Sequence, residues 1–129
     1  MLQRSKDSKD AALLLLSKTC YDGSVVAFYY SVLQRMMYAL NEDEKRPLTY
    51  EHQNPLNEDI HNRILTEIRN RFTISKEENT FKENFEKLSD YRKIADYGSE
   101  SITQSECLEC RSLFERLEGQ LNRFFPIRV

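Results

Sequence analysis

At 129 residues the chain has room for one domain with its own core, and 19 Lys plus Arg against 21 Asp plus Glu leave a formal charge of −2. That balance excludes nucleic-acid binding by bulk charge, so any such contact must come from a local patch. There is no Trp, and three Gly and three Pro leave long stretches without a breaker, which favours helices over a turn-rich β fold. The expectation is an all-α chain. It is an up-down bundle of four to five antiparallel helices in one domain over 1–129, with 1–10 as a polar N-terminal extension.

The apolar tetrad Leu13 to Leu16 is too short for a signal sequence or a membrane span, so no membrane association is expected. Three cysteines cannot all pair within one chain. Together these features point to a reducing compartment, the cytoplasm.

In chain order, a first helix is predicted from about Ser5 to Thr19, with Gly23 in a left-handed C-terminal cap and Ser24 as the next N-cap. Val25 to Leu40 follows, interrupted only by Ser31, Gln34 and Arg35. A helix apolar nearly all round is buried on most sides, so this one is central. Asn41 to Gln53 is a charged loop with Pro47, and Asn54-Pro55 has the form of an N-cap followed by a first-turn proline. The third helix carries Ile60, Ile64 and Ile68 at steps of four and ends near Phe72. Ser75-x-x-Glu78 and Thr103-x-x-Glu106 are capping-box patterns for a fourth helix, stopped by Gly98, and a fifth running to Phe125.

The fourth helix carries an anomaly. Phe81, Phe85, Leu88 and Ala95 form one stripe at 100° per residue, and Arg92 sits at its centre. Asp96 follows within about 40° on the wheel. An arginine among phenylalanines must be paired or face a cleft, because an unpaired buried charge is costly. One reading is an Arg92–Asp96 pair shared with Tyr29 or Tyr30 inside the bundle. The other is a guanidinium fork aimed into a groove to hold a phosphate.

His61 lies on the apolar face of the third helix, where a hydrogen-bonded core histidine competes with a ligand or base. Arg46 precedes His52 by six positions, but across a proline and outside a helix, so that spacing is read as coincidence. Cys107 and Cys110 form a CxxC on the fifth helix, and only Cys20, His52 and His61 could complete a zinc set. They are read as packing residues, with no metal and no cofactor expected.

Two segments resemble the HEPN family. Ala27-Phe-Tyr-Tyr-Ser-Val32 looks like the tyrosine-bearing helix of HEPN domains. Arg92-Lys-Ile-Ala-Asp-Tyr97 looks like the Arg-x-x-Ala-Asp-Tyr signature of a branch of small single-domain HEPN proteins. The resemblance implies a HEPN-like bundle that homodimerises, in a toxin–antitoxin or phage-defence setting, often beside a nucleotidyltransferase-like protein partner. On an enzyme reading Arg92 would stabilise the scissile phosphate, Asp96 would orient that arginine, and Tyr97 or His61 would assist with protons; Tyr29 and Tyr30 are candidate ligand-binding residues, although core packing explains the aromatics better than base stacking.

The family's ribonuclease motif, Arg followed four to six residues later by His, is not matched, since no histidine follows His61. The first expectation is therefore a non-catalytic or conditionally active module binding a nucleotide, an RNA or a protein partner. The alternatives are a metal-independent HEPN endoribonuclease and a small helical subunit of a larger assembly.

Overall fold

The computed structural model describes residues 1–53 and 59–127, and every regular element among them is helical. In order these are α1 (Leu2–Ser17), α2 (Tyr21–Asn41), the single turn α3 (Tyr50–Gln53), α4 (Ile60–Arg69), α5 (Ser75–Tyr97) and α6 (Gln104–Phe124). None is long and apolar enough to cross a membrane.

The segment read as an N-terminal extension belongs to α1. Ser5 is buried there because its hydroxyl donates to the Ser31 carbonyl at 2.7 Å and Ser31 returns a bond to the Ser5 carbonyl. The turn into α2 is also built differently from the expectation. Gly23 and Ser24 both lie within the first turns of α2. Gly23 is there for close packing, since a Cβ would sit 3.2 Å from Leu15 Cδ1. Ser24 donates to the Ala12 carbonyl at 2.8 Å. The left-handed residue is Thr19, with φ of 60°, and it lets Cys20 N–H reach the Leu15 carbonyl at 2.8 Å.

Helix α2 is central: it packs against α1, α3, α4, α5 and α6. Val25, Phe28, Tyr29, Met36 and Leu40 are fully buried on it. Its apolar surface is thus consumed within the chain, so its excess gives no argument for a second copy. Ser5–Ser31 and Ala12–Ser24 converge on the connection, and α1 and α2 run antiparallel. Glu77–Gln120 and Tyr91–Glu109 show the same for α5 and α6.

Sequential antiparallel packing breaks at α4. Tyr29 meets His61 and Asp43 meets Arg71, so α2 and α4 point the same way. The physical reason is the connection after α2, which folds back along it. Leu48 N–H bonds the Leu40 carbonyl at 2.8 Å, and Gln53 Nε2 donates to the Met37 carbonyl at 2.8 Å. Arg71 locks that return, lying 2.6 Å from Asp43, 2.8 Å from Glu67 and 2.6 Å from the Arg46 carbonyl. The expected Asn54-Pro55 start lies outside the described residues.

Of the ends of α5 and the start of α6, two follow the sequence reading and one does not. Thr103 and Glu106 form the full capping box of α6. Gly98 ends α5, though with φ of −74°. A glycine is needed there because a Cβ would fall 2.5 Å from the Ile94 carbonyl oxygen. The Ser75–Glu78 box is absent: Ile74 takes the N-cap, and Glu78 instead pairs with Arg69 at 3.2 Å.

Arg35, read from the sequence only as an interruption, is buried and caps α6. Its Nη2 donates to the Phe125 carbonyl at 2.6 Å, placing a cation where the last carbonyls of that helix lack partners.

Candidate functional site

The buried stripe of α5 contains Phe81, Phe85, Leu88 and Arg92, and it packs on α2. Arg92 is 9 % exposed. Its Nη2 donates to the Tyr30 hydroxyl at 3.1 Å, and its guanidinium centre stands 5.1 Å from the Tyr29 ring centroid and 5.6 Å from that of Tyr30. Nε approaches Asp96 Oδ2 to 3.1 Å, yet it is buried and its N–H finds no hydrogen-bond acceptor among the described residues. The two charges attract without a properly aimed bond. Burial alone would lower the Arg92 pKa; the Tyr30 hydrogen bond and the electrostatic interactions with Tyr30, Tyr29 and Asp96 outweigh it and raise it. The guanidinium is permanently charged, and its fork is only partly used.

α4 brings His61 to the same place. Its Nδ1 lies 2.7 Å from the Tyr29 hydroxyl. Burial first, then the positive charges of Arg92 and Lys93, hold its pKa below the ordinary 6.5. The ring is therefore neutral at pH 7. Burial pushes Tyr29 up to about 12, against the opposing pull of Arg92 and of the Ser89 hydroxyl on the same oxygen. The phenol keeps its proton, and the His61 tautomer decides which of the two groups donates in their hydrogen bond.

These groups border a cleft of about 310 Å³ lined by His61, Asn62, Ser89, Arg92 and Lys93. None of the five is acidic, and two carry fixed positive charge. His61 and Asn62 belong to the first turn of α4, the positive end of its aligned peptide dipoles. A concavity with this set of donors favours an anion. Tyr97, 78 % exposed as the last residue of α5, has its ring centroid 5.9 Å from the Arg92 guanidinium.

The structure thus places Tyr29, Tyr30, His61, Arg92, Asp96 and Tyr97 around one locus. Asp96 lies off the cleft wall, its side chain 29 % exposed. Sequence reasoning missed Asn62, Ser89 and Lys93. Their signal was adjacency: Asn62 follows His61, Lys93 follows Arg92, and Ser89 precedes Arg92 by one helical turn.

Another cleft, of about 160 Å³, includes Arg71 in its lining, but Asp43 and Glu67 already neutralise that cation. Arg46 and His52 serve separate partners, the Asn70 carbonyl at 3.1 Å and Thr49 Oγ1 at 3.0 Å. Cys107 and Cys110 are buried, and burial raises both thiol pKa values, that of Cys110 to about 12. No cluster of three or more potential metal ligands occurs among the described residues.

Compared with known proteins, the chain matches no family model, no curated protein and no solved structure.

Proposed function

We propose that this chain is a HEPN-like, non-catalytic binding module that takes a phosphate-bearing ligand, a nucleotide or RNA, in the cleft beside Arg92. The observation that carries the reading is a cleft lined by His61, Asn62, Ser89, Arg92 and Lys93, which brings two cations and uncharged polar groups together with no carboxylate. The alternation of α1, α2, α5 and α6 suits the up-down bundle of that family, with α4 laid alongside.

A second reading, the metal-independent endoribonuclease, is favoured by one observation: His61 and Arg92 line one cleft although they lie on different helices. It ranks lower because the family's Arg-x4-6-His motif is not matched: no histidine follows His61 in the sequence. The same proposal includes a homodimer. With α2 covered, the exposed apolar side chains open to it include Leu14, Ile74, Ile94 and Leu108.

The test is a titration with inorganic phosphate, followed by the NMR shift of His61. Saturable perturbation in the wild type, abolished in Arg92→Lys, supports the site. The lysine variant keeps the charge and loses the fork. No perturbation by phosphate would remove the reading. RNA cleavage in the presence of chelator would put the enzyme first.

A further inference from the structure

We infer that the groove between α5 and α6 docks a cationic partner segment, which lays an arginine between Asp90 and Glu109 and an apolar side chain on Ile94. This surface is separate from the cleft beside Arg92 and does not rest on the phosphate reading.

α5 and α6 run antiparallel, and a cleft of about 320 Å³ opens between them, lined by Lys87, Asp90, Tyr91, Ile94 and Glu109. Its wall is mostly apolar, although Lys87, Asp90 and Glu109 carry charge. Ile94 on α5 is 41 % exposed, and Leu108, beside Glu109 on α6, is 46 % exposed. A groove between two packed helices with open apolar side chains is a seat for an amphipathic helix.

The charges select what covers it. The Tyr91 phenol donates to Glu109 at 2.5 Å, spanning the two helices and holding that carboxylate beside the ring. This bond, ahead of burial, pushes the Tyr91 pKa up to about 12, so the phenol keeps its proton. Asp90 makes no hydrogen bond or ion pair among the described residues, and Glu109 has no cationic partner there. Lys87 is exposed and supplies one positive charge against their two negative ones. The groove lacks a cation. An arginine suits it, because a planar guanidinium can meet carboxylates and also lie on the Tyr91 ring. A second copy does not supply it. Each copy brings the same two carboxylates and one lysine, so pairing through this groove keeps the imbalance. An RNA strand or an anionic lipid surface meets the same excess of negative charge and is disfavoured.

The probe is an amidated, alanine-based helical peptide with Leu and Arg four positions apart, followed by the amide NMR shifts of the protein. Saturable shifts should appear at Tyr91, Ile94 and Glu109, and not at His61 or Asn62. Asp90→Asn should weaken binding by about threefold, the worth of one exposed charge pair, and Lys87→Met should strengthen it by a similar factor. Ile94→Ser should weaken it by about fivefold. All three positions are exposed, so these variants keep the fold. Unchanged affinity when citrulline replaces the arginine of the peptide would overturn the inference. So would unchanged affinity in Asp90→Asn, or shifts confined to the cleft beside Arg92, or none at all. Shifts at Ile94 and Leu108 that grow with protein concentration alone would give the groove to a second copy instead.

Discussion

The Tyr29 hydroxyl lies 2.7 Å from His61 Nδ1, tying the central helix to the first turn of α4 beside the candidate cleft. If the phenol donates in this bond, the imidazole proton sits on Nε2 and the ring cannot act there as a base. Nitrogen-detected NMR should show His61 protonated on Nε2 near pH 7; a proton on Nδ1 would restore His61 as a candidate base. Tyr29→Phe should cost about 1–2 kcal/mol in denaturant unfolding, because the partner nitrogen then loses its donor in a half-buried place.

The lowered His61 pKa makes stability depend on pH. The folded value lies below the unfolded 6.5, so between the two the unfolded chain binds more protons. Stability then rises with pH through that window and is lost as pH falls from about 6.5 downward. The groups facing the ring are Tyr29, Tyr30, Arg92 and Lys93, and the two cations oppose its protonation. Denaturant midpoints measured from pH 7.5 to 5 should decline, and His61→Asn should flatten the decline. A bound phosphate would offset the two cations at the ring and shift the window upward.

Thr19 occupies the left-handed region at φ of 60°, where a β-branched residue is strained. Thr19→Gly should therefore stabilise the α1–α2 connection by about 0.5–1 kcal/mol, net of the entropy that glycine adds to the unfolded chain. A loss of stability on denaturant unfolding would mean that the Thr19 hydroxyl bond to the Lys18 carbonyl, at 2.6 Å, outweighs the strain.

Much of the architecture was legible because periodicity reports burial. Ile64 and Ile68 at a step of four are both fully buried, and the Phe81–Arg92 stripe is the face that α5 turns inward. Termini were less legible, since a cap depends on where the chain comes from. Glu78 found Arg69 across the α4–α5 connection instead of its own helix end. The direction of α4 was invisible because the return of Leu48 and Gln53 onto α2 is a tertiary event. At the site, the sequence marked Arg92 as anomalous. That His61, 31 positions earlier, faces the same cleft needed the fold.

The three cysteines should separate cleanly by reactivity. Cys20 is exposed, while Cys107 and Cys110 are buried with raised thiol pKa values, so little reactive thiolate forms. An aromatic disulfide reagent at pH 8 should titrate one thiol per native chain and three after denaturation. Fast reaction of a second thiol in the native protein would show that the α6 pair is accessible and reopen a redox or metal role.

The last prediction concerns Arg92 and separates support from binding. Removing it strands Asp96, but that carboxylate is 29 % exposed and can take up water, so the full penalty of a buried orphan charge does not apply. Arg92→Ala should thus cost about 2 kcal/mol, drawn from the Tyr30 bond, the ring contacts and the loss of the packed stem. Phosphate binding should vanish entirely. Arg92→Lys should recover part of the stability, since an ammonium can still approach Asp96 and the tyrosine faces. It should not recover binding, because a point charge cannot reproduce the planar fork. A loss well above 3 kcal/mol in Arg92→Ala, with phosphate affinity intact in Arg92→Lys, would show that the residue is a core ion pair and nothing more. Partial stability with no binding in the lysine variant places the fork on the ligand.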